Sequence, residues 1–147
     1  MRRMGKPELA IRLLLLLAGL AIAHLGVALF LESNLGPDPF NVLVQGLFRS
    51  LPWPEWMSHG RVHLLVSLLI VLALLAVGRS YIHMGTLVCM ALGGPIIDLW
   101  TVPLAPLFPD SLALPWRLLA LVLGCVILAL GMTIVIQSDL GAGPNDL

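Results

Sequence analysis

A stretch that occurs twice constrains this chain more than any other feature. Arg12-Leu13-Leu14, Gly19, Gly26 and Glu32-Ser33-Asn34-Leu35-Gly36-Pro37-Asp38-Pro39 return as Arg117-Leu118-Leu119, Gly124, Gly131 and Gln137-Ser138-Asp139-Leu140-Gly141-Ala142-Gly143-Pro144. The offset is a constant 105 residues without a gap. Leucine matches in leucine-rich helices carry little information, but recurring glycines, a proline and a flanking arginine carry a good deal. Both copies open on an apolar run, Leu13 to Leu31 and Leu118 to Ile136, long enough to cross a bilayer core at 1.5 Å per residue.

Composition puts the chain in a membrane. Hydrophobic residues are 59% of 147 and charged residues 11%, with a mean hydropathy of +1.01; soluble domains hold roughly 45–50% and about 25%. The reading is an all-α polytopic membrane protein with four transmembrane helices and one short re-entrant or interfacial helix, a single domain over 1–147. The lipid bilayer is its first partner. Eight basic and eight acidic residues cancel, so no basic face for nucleic acid is expected.

A cleaved leader is the rival reading of the N-terminus, since Ala21-Ile22-Ala23 resembles a small-residue cleavage site. The apolar run continues beyond it and recurs internally, which a leader has no reason to do. Arg2, Arg3, Lys6 and Arg12 precede the first span and put the N-terminus in the cytoplasm by the positive-inside rule. The setting expected is a bacterial inner membrane.

The spans then follow in order. The first ends near Ser33, where Gly36 suits the left-handed stop. Asp38 and Pro39 read as N-cap and first residue of a helix to about Ser50, too short to span. Pro52 and Pro54 end it. A second span runs from about Arg61 to Val77. A third, from about Ile82 to Trp100, is expected to be broken at Gly93-Gly94-Pro95. A proline-rich loop leads to the fourth, Trp116 to Ile136. On this count Arg2, Arg3, Lys6, Arg12 and Arg79 lie inside, and Arg49, Arg61 and Arg117 outside.

Three spans make the first repeat unit, about 12–100, and three is odd. The second copy, about 117–147, therefore enters the membrane in the opposite sense, giving an inverted three-span repeat whose second copy is incomplete. Secondary transporters are built this way, with sites between the repeats. Completing the second copy takes about 58 further residues, so a parent protein of about 205 residues is expected, each repeat needing its spans to bury its backbone.

These residues resemble a known group. Asp139-Leu140-Gly141-Ala142-Gly143-Pro144-Asn145-Asp146-Leu147 is similar to the D-L-G-x-G-P-x-D-x-L signature of YczE-like membrane proteins, part of the YczE/YyaS/YitT group. Gly85-Thr86 with Gly94-Pro95-Ile96-Ile97-Asp98 resembles that group's G-T…G-P-hydrophobic-hydrophobic-D pattern. The first copy departs from it, with Pro37-Asp38 for Ala-Gly and Phe40-Asn41 for Asn-Asp. The resemblance implies a multi-span, transporter-like bacterial membrane protein without naming a solute.

Candidate residues follow from chemistry. Gly19 and Gly26, and Gly124 and Gly131, are seven apart and share a helix face, where small residues let backbones approach. Asp38 and Asp146 suit helix starts as dipole-complementing caps. The sharper reading has Asp38 and Asn41 in one Gly/Pro loop, and Gly141, Gly143, Pro144 and Asp146 in the other, facing a shared solute cavity. Asp98, an acid in a span, either lines that cavity or reaches headgroup water. His24 is either a relay group or a core histidine bonded to a neighbouring helix; its repeat counterpart is Ala129.

The four histidines lack zinc spacing, and Cys89 and Cys125, both in apolar runs, read as buried free thiols. No cofactor or metal is expected. With no G-x-S-x-G, H-E-x-x-H or P-loop lysine, no enzyme activity is expected either. The function expected is to bind or move a small unknown solute at the repeat interface. The alternative is a membrane partner or substrate-capture subunit of a larger complex; a homo-oligomer is the other possible assembly.

Overall fold

The computed structural model describes residues 6–36, 38–77, 84–109 and 111–140. Among them every regular element is helical: α1 (Lys6–Ser33), α2 (Pro39–Ser50), α3 (His59–Val77), α4 (Met84–Leu104), a 3₁₀ turn at Ala105–Leu107, and α5 (Leu114–Gln137). Four segments are long and apolar enough to span a membrane, Pro7–Ser33, His59–Ala76, Gly85–Leu107 and Leu114–Gln137. Their outer surfaces carry Leu14, Leu68, Leu99, Val122 and Leu130 in the open. In water such a surface would be an aggregation hazard; in a bilayer it is the face toward lipid.

α1 and α5 form the most extensive contact, and α1 also packs on α4, α3 on α4, and α2 on α3. Glycine sets the first contact. A Cβ on Gly19 would meet the Gly131 carbonyl at 2.9 Å, and one on Gly26 the Gly124 carbonyl at 2.6 Å. As numbers rise along α1 they fall along α5, so the helices run antiparallel at backbone contact, as small residues permit in lipid. Beside this seam Leu16, Leu20, Val135 and Leu140 form one core cluster, and Val27, Leu31 and Ile97 another.

The ends of the two helices match in detail. Ser33 Oγ donates to the Phe30 carbonyl at 2.8 Å, and Ser138 Oγ to the Val135 carbonyl at 2.6 Å. Each donor is fully buried. The next residues, Asn34 and Asp139, take φ of 55° and 54°, the left-handed position that closes a helix. Gly36, expected to be that stop, turns with φ 106° two residues later. Asn34 performs the stop, because asparagine tolerates αL better than most residues.

α4 corrects one expectation. Gly93-Gly94-Pro95 does not break it; the helix runs through both Pro95 and Pro103. Pro95 forfeits one backbone bond, a loss that packed transmembrane helices absorb. The glycines serve contact instead: the Gly94 backbone lies against that of Gly60 on α3, and Gly93 faces His24 and His63.

α2 forms where expected. The Asp38 carboxylate accepts from the Phe40 and Asn41 backbone N–H groups, both at 3.1 Å, and Pro39 starts the helix. Val44 packs with Val62 and Val66 of α3, bordered by Phe40, Leu47 and Phe48. The Trp53 indole donates to the Leu47 carbonyl at 3.0 Å and folds the proline segment back on the helix end.

Candidate functional site

The helix ends sort into two faces. At one, Arg12 donates to Asp139 at 2.6 Å and to Glu8 at 3.1 Å, and the Gly85 N–H donates to the Leu140 carbonyl at 2.9 Å. At the other lie the ends of α1, α2 and α4 and the starts of α3 and α5. There they enclose a vestibule of about 680 Å³.

The vestibule is charged. Glu32, Arg49, His59, Arg61, Asp98 and Arg117 line it, drawn from all five helices. Arg49 donates to the Asn34 side-chain oxygen at 3.4 Å. Arg61 donates to the Trp56 carbonyl, with its guanidinium 5.6 Å from the centre of the Trp56 ring, a cation–π distance. Arg117 donates to the Leu112 carbonyl at 3.0 Å. Trp56 and Phe108 complete an aromatic rim.

Asp98 joins the vestibule to the start of α3. Its carboxylate accepts from Ser58 Oγ at 2.5 Å and from the Gly60 N–H at 2.8 Å. Ser58 Oγ also accepts from the Arg61 N–H at 3.2 Å. Two orphan N–H groups at a helix start are thereby satisfied, and the negative carboxylate complements the dipole. Asp98 both lines the cavity and caps a neighbouring helix.

Deeper in lies a second polar group. His24 Nδ1 is 2.7 Å from the Leu20 carbonyl of its own helix, in place of the expected bond to a neighbouring helix. Since a carbonyl only accepts, Nδ1 carries the proton and Nε2 of the neutral ring keeps its lone pair. The His24 and His63 rings lie edge to face with centres 6.2 Å apart, and Phe40 stands 5.0 Å from His63. Asn41 donates from Nδ2 to Asp38 at 2.7 Å. Three buried atoms have no partner among the described residues: Asn41 Oδ1, His59 Nε2 and His63 Nδ1.

Of the candidates read from sequence, the structure puts Asp98 in the vestibule and Asp38 with Asn41 at the start of α2, on the histidine side. Gly19, Gly26, Gly124 and Gly131 meet in the α1–α5 seam. Gly141, Gly143, Pro144 and Asp146 lie outside the described residues. Sequence reasoning did not single out Ser58, His59 or His63. The His59–His63 spacing of one helical turn was the available signal, because i and i+4 share a face. Among the described residues no group of three or more His, Cys, Asp or Glu is placed to hold a metal.

Comparison with known proteins agrees with a place in the membrane. The chain is 28% identical over 142 residues to the uncharacterized membrane protein YczE of Bacillus subtilis, covering 96% of this chain and 62% of that protein. It is 27% identical over 129 residues to the uncharacterized protein YyaS of the same organism, covering 87% of this chain and 61% of that one. The chain thus spans less than two thirds of the length of either relative. No solved structure matches it. A multi-pass membrane protein with four apolar spans, it matches a family of unknown function, DUF6198, over residues 10–147, and it belongs to that family.

Proposed function

We propose that this protein is transporter-like, binding or moving a small solute where two inverted three-span repeats meet. The observation that carries the reading is the charged vestibule of about 680 Å³. Its volume falls within the range of small-molecule sites, roughly 300–1,000 Å³. Glu32 and Asn34 reach it from the first copy of the repeat and Arg117 from the second. The seam supports the inverted arrangement: adding 105 to Gly19 gives Gly124, and subtracting 105 from Gly131 gives Gly26. The contact of Gly19 with Gly131 thus maps onto that of Gly26 with Gly124, as a two-fold axis in the membrane plane requires.

The N-terminus lies in the cytoplasm of a bacterial inner membrane, and the vestibule opens on the opposite side. α2 sits at that outer surface against α3, with Val42 and Leu43 exposed to lipid. No enzymatic chemistry is assigned to any residue. The test is uptake by proteoliposomes holding the complete gene product, screened over radiolabelled amino acids, vitamins and inorganic ions. At least one class should enter, and Arg49→Gln with Arg61→Gln should reduce its uptake. Absence of flux in every class, together with a stable co-purifying membrane protein, would replace transport by the role of a capture or partner subunit.

A further inference from the structure

The vestibule ends at His59, and the polar groups continue beyond it. His59 lines the cavity. His63 lies one turn farther along the same face of α3, about 6 Å on, and Ser67 one turn beyond that. His63 is 7% exposed and Ser67 2% exposed. His24 crosses to this line from the middle of α1, its ring centre 6.2 Å from that of His63.

Between the rings the wall is a glycine. A Cβ on Gly93 would stand 2.9 Å from His24 Nε2 and 3.1 Å from His63 Cε1. Both rings therefore close on the Gly93 backbone, at a distance that leaves no room for a methyl there. Buried polar atoms in a membrane are costly when unpartnered, yet His63 Nδ1 and Asn41 Oδ1, on residues 7% and 5% exposed, have no partner among the described residues. Ordered water meets such atoms where the site is polar and roomy enough. A water that accepts from one ring N–H and donates to the lone pair of a second ring joins nitrogens up to about 6 Å apart, twice the usual hydrogen-bond length. That is on the scale of the 6.2 Å between the ring centres.

We propose that His59, His63 and His24 form a water-bridged proton path from the vestibule to a proton-binding site at His24 Nε2 in the middle of the membrane. It rests on the transporter reading only in making the proton the coupling ion of that solute site. The balance is simple. A hydrated proton in the vestibule adds to a ring nitrogen of His59 or, through water, to His63 Nδ1. A His59 imidazolium passes its other N–H proton, through water, to His63 Nδ1. The His63 imidazolium gives up its Nε2–H proton, through the bridging water, to the lone pair of His24 Nε2. His24 becomes an imidazolium whose Nδ1–H stays on the Leu20 carbonyl, and no electron moves.

The charges around the path suit it. Asp38 at the start of α2 lies within electrostatic reach of both His24 and His63, and Asp98 of α4 within reach of His59 and His63. Against them stand Arg49 of α2, which acts on His59 at the mouth, and the histidines themselves. Charge on His24 or His59 opposes charge on His63, so the path carries one proton at a time.

The experiment is nitrogen-15 NMR of histidine-labelled protein in lipid bilayers, with the bath taken from about pH 8 to about pH 5, the span in which histidine changes charge. His24 should pass from the Nδ1–H tautomer to imidazolium. In His63→Gln the exchange of the His24 ring proton with water should slow about a hundredfold, the lower range of what a positioned proton-transfer group contributes. His59 should respond as before. Gly93→Ala, which keeps all three rings and forces a methyl against His24 and His63, should give the same slowing and serves where His63→Gln does not fold. A His24 that stays neutral throughout in the native protein overturns the proposal, as does unchanged exchange in either folded variant. Histidines that titrate in a protein without solute flux keep the path and remove the transporter reading; flux with a silent His24 does the reverse.

Discussion

Asp98 shows how one side chain serves two parts of the molecule. Its carboxylate accepts from Ser58 and from the first free N–H of α3, so its removal leaves both donors without an acceptor. Asp98→Ala should lower stability by about 1.5–3 kcal/mol, the range for hydrogen bonds to charged groups. Thermal unfolding in detergent, with hydrogen exchange at Gly60 and Arg61, reads this out. Asp38→Ala should be milder, about 1 kcal/mol for a lost N-cap, with fraying confined to Phe40 and Asn41. The difference in how readable these two acids were has a physical cause. Asp38 caps residues two and three places along the chain, and such local chemistry is visible in a string of letters. Asp98 meets partners 38 and 40 residues away, which only folding brings to it. The histidines carry the same lesson: His59 and His63 share a face by spacing alone, but nothing local placed His24 beside them.

Among the elements, the α1–α5 pair makes a sharp contrast with α2. A Cβ on Gly26 would lie 2.6 Å from the Gly124 carbonyl and 2.7 Å from the Leu128 nitrogen, both backbone atoms that cannot rotate away. Gly26→Ala should therefore cost about 1–3 kcal/mol as an overpacking substitution. Gly46, exposed on α2, has nothing within 4 Å of where an added methyl would stand. Gly46→Ala should instead stabilise by about 0.5–1 kcal/mol, through helix propensity alone. Denaturant unfolding of the two variants side by side tests the pair, and equal signs would mean the seam has been misplaced. The seven-residue glycine spacing made this packing face legible. The continuity of α4 was not, because Gly-Gly-Pro ends helices in water, where a freed carbonyl finds solvent at once. In a packed membrane helix the alternatives are costlier, and Pro95 stays within the turn.

For the whole molecule, exposure has two meanings, and they are separable by experiment. Gln45 lines the vestibule, whereas Cys125, expected to be buried, is exposed in the middle of α5, inside a membrane span. A charged, water-soluble maleimide should modify Gln45→Cys rapidly in bilayers and leave Cys125 untouched, because thiolate forms in water and not in hydrocarbon. Equal labelling of both would place α5 against water and undo the assignment of its span. The spans were legible because a bilayer demands long apolar runs. The vestibule was not, since its lining comes from residues 31 to 117 and no periodicity links them. The α1–α5 seam has one more consequence, in the order of synthesis. Of the described helices α1 enters the membrane first, yet its main partner α5 is the last of them to emerge, and Arg12 must wait for Asp139, 127 residues later. Contacts so distant in sequence form slowly, and a helix kept waiting offers its glycine face to other chains. α4, which packs on α1 in the finished fold and emerges before α5, is the native neighbour at hand during that wait.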